Sequence, residues 1–399
     1  MQNPTYAPRI QLLSESTTIA ISSLARDLKA QGKDILSFSA GEPDFDTPKP
    51  IRDEAIRALN SGFTHYTAVG GIPELRKAIC EKLERENDLH YDPSEVIVSN
   101  GAKHSLFNVL QALICEGDEV IIPKPYWVSY PEVVTYCGGT NVFISTDEKQ
   151  NFKITPKQLK EAITPKTKIL VLNSPSNPTG IVYSKKELEE LAHILAGSNI
   201  WVLSDEIYEK LVYDITFCSS AAISQDMLER TIVINGLSKA VAMTGWRVGY
   251  IACKDKQLIK YMDNLQSQCT SNVNSIAQKA SVVALGKECV ADIEEMRLAF
   301  KERMEVAYKL FNTLPGITLQ KPQGAFYLFP NIQEITKFNG DSMRFCQELL
   351  QSQGIALVPG SAFGKDGYVR FSFACNTEQI QLGIERIARF IKDSHNENP

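Results

Sequence analysis

The chain opens on a helical repeat. Within 16–30 the apolar residues Ile21, Leu24, Ala25 and Leu28 recur at three- and four-residue spacing, which puts them on one helix face, and Gly32 supplies the stop. A short strand is expected over 35–40. The stretch Gly41-Glu42-Pro43-Asp44-Phe45-Asp46-Thr47-Pro48 then holds too many turn formers for regular structure. Helical spacing returns with Ile51, Ala55, Ala58 and Leu59 facing inward. A glycine-rich loop, His65-Tyr66-Thr67-Ala68-Val69-Gly70-Gly71-Ile72, leads to Pro73. Proline suits the first turn of the next helix, which carries Leu75, Ile79 and Leu83 inward.

From Glu95 the texture alternates. Strands are expected over 95–99, 119–123, 141–145, 168–173, 200–204 and 231–235, with helices over 102–115, 156–163 and 185–195. The run Ile169-Leu170-Val171-Leu172 lacks two-residue alternation, which suits a strand covered on both faces. Strands alternating with helices predict an α/β fold: a mainly parallel sheet flanked by helices, with ligands at the strands' carboxyl ends. Beyond Tyr250 the pattern shifts to long helices until Leu314-Pro315-Gly316. Short apolar runs over 317–320 and 325–330 follow, then a helix over 342–353, strands over 355–358 and 368–374, and a last helix from about 377. We expect a large domain over 46–290 and a smaller α/β domain over 291–399. The N-terminal segment, 1–45, should pack with the smaller one. A chain of 399 residues exceeds a typical single domain, which fits that division.

Composition narrows the function classes. A net charge of −5 leaves no electrostatic footprint for nucleic acid or a membrane surface. No apolar run reaches the length of a membrane span, and 1–9 lacks a signal pattern. The nine cysteines are scattered without a CxxC pair, which argues for reduced thiols in the cytoplasm. The histidines show no metal-ligand spacing.

The candidate chemistry centres on Asn235-Gly236-Leu237-Ser238-Lys239-Ala240, followed by Gly245-Trp246-Arg247-Val248-Gly249-Tyr250. A lysine among small and apolar residues is partly desolvated, which lowers its pKa and frees its amine as a nucleophile. An arginine nearby can grip a phosphate. The two together answer the needs of pyridoxal phosphate (PLP), an aldehyde carrying a phosphate. For a lone lysine the plain alternative, a solvated side chain, is favoured.

Four more segments bear on it. Asn177, after a buried strand and before Pro178, can aim its amide at a ring oxygen; the alternative is an ordinary turn. Asp205, at a strand end, can pair with a protonated ring nitrogen, with Tyr208 three residues on; the alternative is a helix cap. Ser99-Asn100-Gly101-Ala102-Lys103 joins a strand to a helix N-terminus, which is an anion site or a plain helix start. Arg370 sits between apolar strand residues and wants a carboxylate, either the substrate's or an internal Asp or Glu.

In order and spacing these segments resemble the class I PLP-dependent aminotransferases of the aspartate aminotransferase type, from about Ala40 to Ala374. The resemblance implies fold type I. It also implies that Lys239 holds the cofactor as a Schiff base and shuttles the Cα proton, while Asp205 pairs with the ring nitrogen. Tyr208 and Asn177 would contact the ring's phenolic oxygen, and Trp127 would stack on the ring. Arg247, Ser238 and the Ala102 and Lys103 backbone would take the phosphate. Tyr66 would reach the phosphate of a neighbouring subunit, making a homodimer with shared sites. Gly41 and Arg370 would hold the substrate carboxylate. The Lys103 side chain would extend toward a second one. The family often has serine three residues before the lysine; Gly236 stands there instead, and one phosphate hydroxyl is missing.

The expected reaction moves the amino group of L-aspartate to 2-oxoglutarate. Aromatic or prephenate specificity, or β-lyase chemistry, would use the same electron sink. A PLP-sensing regulator would need a DNA-binding domain, for which there is no room before Gly41. A dinucleotide enzyme is disfavoured, because no GxGxxG follows the first strand.

Overall fold

The computed structural model describes residues 6–396. The ends of the proposed N-terminal segment and C-terminal domain, 1–5 and 397–399, lie outside the described residues. So does most of the stretch read for a signal pattern.

Seven strands make the main sheet: β1 (Val96–Ser99), β2 (Glu119–Lys124), β3 (Thr140–Ser145), β4 (Thr167–Asn173), β5 (Trp201–Asp205), β6 (Thr231–Gly236) and β7 (Gly249–Ala252). Their spatial order is β1-β7-β6-β5-β4-β2-β3. The β2, β3, β4, β5 and β6 pairings are parallel, while β7 runs antiparallel to both β1 and β6. Helices between strands allow the parallel crossovers, while β7 follows β6 after 237–248 and returns antiparallel to it. The periodicity reading missed β7, a four-residue strand inside a glycine-rich run.

The apolar run in β4 is covered on both faces. Ile169 and Val171 pack with Leu106, Val109 and Leu110 of the helix Ala102–Leu113. Leu170 and Leu172 pack with Leu188 and Leu191 of the helix Lys185–Leu195. That helix starts at a reciprocal cap: Ser184 accepts from the Glu187 N–H, and Glu187 accepts from the Ser184 N–H. Each fully buried Leu or Ile side chain stabilises the fold by about 1.5–3 kcal/mol over an exposed one, so this run anchors the sheet.

A second core gathers around Val290–Phe311, Ser342–Gln353 and Thr377–Asn396. Its antiparallel sheet has the order Val358–Pro359, Val369–Ser372, Tyr327–Leu328. The expected strand over 355–358 is split. Ile355–Ala356 pairs in parallel with Leu36–Ser37, and Val358–Pro359 pairs with Val369–Ser372. The strand expected over 35–40 shrinks to Leu36–Ser37 accordingly.

Two helix faces differ from expectation. Ala25 is buried, with Ile21 and Leu28 packed beside it, but Leu24 is 49% exposed. Ile51 and Ala58 are buried, while Leu59 is 54% exposed. In each helix the neighbouring core covers only a narrow stripe. Among the described residues no helix is long and apolar enough to cross a membrane.

Candidate active site

Three parallel strand ends meet at one edge of the main sheet. Asn173 on β4 is the register partner of Asp205 on β5, and Asp205 faces Ile234 on β6. The segments leaving these strands carry Asn177, Tyr208 and Lys239, and all three line one cavity. Gly41, Ala102, Lys103, Trp127, Asp205, Ser238, Arg247 and Arg370 line it too. Of the residues to which the resemblance gives a site role, Tyr66 alone is elsewhere: it is 91% exposed and does not line the cavity.

Lys239 sits on the helical turn Leu237–Ala240 directly after β6. Its Nζ donates to the Gly41 carbonyl. Burial lowers its pKa to about 8; Arg370 and Arg247 push the same way, and Glu42 and Asp205 resist. Asp205 is buried, and its Oδ2 accepts from the Tyr130 hydroxyl at 2.6 Å. Its Oδ1 accepts from the Ile207 N–H at 3.2 Å. Burial raises the Asp205 pKa, and the Tyr130 bond works against that shift.

At another part of the cavity, Gly101 precedes the helix Ala102–Leu113 with φ +83°. A Cβ there would run into the Arg247 guanidinium, so glycine lets the arginine close on the helix N-terminus. The first N–H groups of a helix have no acceptor within it and point at whatever sits there. Arg247 Nη1 donates to the Thr244 carbonyl at 2.9 Å, and its guanidinium lines the cavity. Gly236 has a packing reason. A Cβ would come within 2.8 Å of the Val248 carbonyl oxygen and 3.0 Å of Gly249 Cα, so a serine does not fit between these strands.

Arg370 is 2% exposed. Its Nη1 donates to Asn177 Oδ1 at 3.0 Å and its Nη2 to the Ser39 carbonyl at 2.7 Å. Neither acceptor is a carboxylate, and among the described residues Nε has no partner. Burial lowers its pKa, opposed by Tyr327 and Tyr208 and by no acid. The internal-acid alternative for Arg370 is thereby removed. Because Arg370 takes Oδ1 of Asn177, the amide Nδ2 is the group Asn177 has left to offer.

Two tyrosines that the sequence reading missed tie the site together. Tyr130 holds Asp205 and stands edge-on to Trp127, with ring centroids 5.4 Å apart. Trp127 lies just before the helix Ser129–Tyr136, and no local pattern marks Tyr130. Tyr327 shares a hydroxyl hydrogen bond of 2.8 Å with Tyr208, and its ring centroid lies 4.4 Å from the Arg370 guanidinium carbon. No local pattern marks it. Lys103 Nζ lies 5.0 Å from the Trp127 ring centroid, and burial, with Arg247, lowers its pKa. Ser16, Thr18 and Ile19, from the N-terminal helix and its cap, also line the cavity.

Known proteins resemble this chain in sequence and fold. The family model for aminotransferase class I and II matches residues 33–387. An aspartate aminotransferase of Bacillus sp. (strain YM-2) is 48% identical over 97% of this chain and 99% of its own length. An aspartate/prephenate aminotransferase of Nitrosomonas europaea is 45% identical over 96% of this chain and 98% of its own. A solved aspartate aminotransferase of Thermus thermophilus with maleate superposes with a TM-score of 0.93 at 41% identity, covering 97% of this chain and 99% of that one. A match of this extent leaves one conclusion: the chain belongs to the class I and II aminotransferases.

Proposed function

We propose that this aminotransferase uses PLP to move the amino group of L-aspartate to 2-oxoglutarate, giving oxaloacetate and L-glutamate. The observation that carries the substrate class is Arg370: a buried cation with no acidic partner among the described residues, lining the cavity that holds a buried amine. A buried charge wants a counter-ion, and the α-carboxylate of an amino acid supplies one.

The cavity residues fit the cofactor. An open helix N-terminus closed by Arg247 suits a phosphate, and a buried carboxylate held by Tyr130 suits a protonated ring nitrogen. Lys239, with its lowered pKa, suits an aldehyde. When bound, the cofactor supplies a carbon that captures amino groups and a ring that accepts electron density from Cα.

The chain's own residues do the rest. Lys239 Nζ would hold the aldehyde in the resting enzyme, and as a free amine it would carry the proton that leaves Cα. Asp205 would keep a proton on the ring nitrogen. Asn177 Nδ2 and the Tyr208 hydroxyl would hold the phenolic oxygen, with Trp127 beside the ring. Ser238, Arg247 and the Ala102 and Lys103 N–H groups would hold the phosphate. Gly41 and Arg370 orient the substrate carboxylate. Lys103 reaches for a second carboxylate, as suits a site whose relative from Thermus thermophilus is described with the dicarboxylate maleate.

The site works in a homodimer. The support is Tyr66, which stands exposed on a loop and away from its own cavity, free to reach the partner's phosphate. The same reading keeps the domain division at 45 and 290 and places the enzyme in the cytoplasm, with its nine cysteines free. Prephenate specificity is the second reading, supported by the Nitrosomonas europaea relative.

Loading with PLP should produce a visible absorbance band that shifts on adding aspartate. Borohydride reduction should fix the label on Lys239; label on another lysine sinks the assignment. Assays with aspartate, prephenate and phenylalanine partners separate the readings. Sedimentation tests the dimer, which a stable, fully active monomer would refute.

A further inference from the structure

Behind the strand ends lies a buried ionic cluster that the reaction does not touch. Lys82 and Asn87 come from the helix Pro73–Asn87, Glu209 from the turn after β5, and Asn235 from β6. All four are buried. Lys82 Nζ donates to Glu209 Oε1 and, at 2.8 Å, to Asn87 Oδ1. Asn87 Nδ2 donates to Glu209 Oε2 at 2.9 Å, and Asn235 Nδ2 donates to Glu209 Oε1 at 2.8 Å. Asn235 Oδ1 in turn accepts the Gly236 N–H at 2.7 Å. Glu209 directly follows Tyr208, and Gly236 caps the turn that carries Ser238 and Lys239.

We propose that Lys82, Glu209 and Asn235 form a positioning device that sets Lys239 and Tyr208 relative to each other. The proposal rests on the roles given above to those two residues. A buried ion pair is a poor choice for stability alone, because apolar residues of similar volume serve as well or better. Its bonds are directional, however, and here they join the two segments that must be in register. Packing seats the far side of the turn, where Leu237 and Val241 are buried among apolar residues. On the near side Leu237 and Ala240 border a cavity that Lys82, Glu209 and Asn235 also line, and there the Glu209–Asn235–Gly236 bonds tie the turn to the segment that carries Tyr208.

Asn235→Leu tests this in the PLP-loaded enzyme. It leaves the Lys82–Glu209–Asn87 bonds in place and cuts the link to Gly236. We expect kcat to fall about ten- to a hundred-fold through misplacement of Lys239, with KM for aspartate changed far less. The pH midpoint of the visible band should move as well. Unchanged kcat and midpoint overturn the proposal. A second pair of variants separates positioning from stability. Lys82→Met/Glu209→Gln keeps an acceptor for Asn235, and Lys82→Met/Glu209→Leu does not; both remove the buried charges. Positioning requires the Gln variant to keep near-normal kcat and the Leu variant to lose it at a matched Tm. Equal kcat in the two overturns it. If either fails to fold, Asn235→Leu decides alone. Borohydride label on a lysine other than Lys239 would instead refute the roles on which the proposal rests.

Discussion

The cavity has two sides built on different terms. The proposed cofactor side stands on the main sheet, where each group ends a strand or follows it by a few residues: Asp205 ends β5, while Asn177 follows β4, Tyr208 follows β5 and Lys239 follows β6. The proposed substrate side stands on Arg370, in a four-residue strand of the second sheet, and on Gly41 from the N-terminal stretch. The first side is locally encoded. Buried parallel strands deliver their ends to one edge, so whatever follows them converges. The second side exists only through distant contacts, with Arg370 held by Asn177 and Ser39. Movement of the second sheet should therefore reach the substrate side directly and the cofactor side through the Tyr208–Tyr327 and Asn177–Arg370 bonds.

The largest effect should come from the cofactor side. Lys239→Ala removes the proton carrier, and turnover should fall on the order of 10⁴-fold. The cofactor should still bind, without covalent attachment, as dialysis and absorbance would show. Near-normal turnover would mean that the amine is not the carrier. Next is Asp205→Asn, which keeps the shape and removes the charge. We expect kcat to drop about 10²–10³-fold, the scale of one lost electrostatic stabiliser. A variant with wild-type kcat would leave Asp205 a structural acid.

The substrate side gives smaller, more selective losses. Arg370→Lys keeps the charge but loses the planar fork. kcat/KM should fall about a hundred-fold for every amino acid tested, since each carries an α-carboxylate. A loss confined to aspartate would move Arg370 to the distal group. Lys103→Ala should cost aspartate and 2-oxoglutarate about ten- to a hundred-fold in kcat/KM, or about 1.5–3 kcal/mol. Alanine and phenylalanine should be nearly untouched. Equal losses for acidic and neutral substrates would assign Lys103 to the phosphate.

The smallest effect is one of pH. With a pKa near 8, Lys239 is mostly protonated at pH 7 and mostly neutral at pH 9. Only the neutral amine attacks an aldehyde. Capture of PLP by cofactor-free protein should speed up about tenfold from pH 7 to 9 and then level off. A rate still climbing steeply at pH 10 would mean that burial does not lower this pKa.

The sequence by itself determined the elements whose signals are local. The helix expected over 185–195 matches Lys185–Leu195 to the residue, and an unbroken apolar run marked β4 as covered on both faces. Strand-end motifs likewise picked out most of the residues that share the cavity, because a short turn keeps a side chain near the strand it follows. Only the tertiary structure decided which partners those groups have. Arg370 was legible as buried, but whether it met an internal acid depended on residues nearly two hundred or more positions away. Tyr130 and Tyr327 carry no local mark of their bonds to Asp205 and Tyr208. Leu24 and Leu59 lie on apolar stripes yet face outward, since the width of the covered stripe is set by the core beneath it. Period, caps and turn residues act over a few positions along the chain. Burial of a given face and the pairing of a buried charge are settled by whichever distant segment packs there.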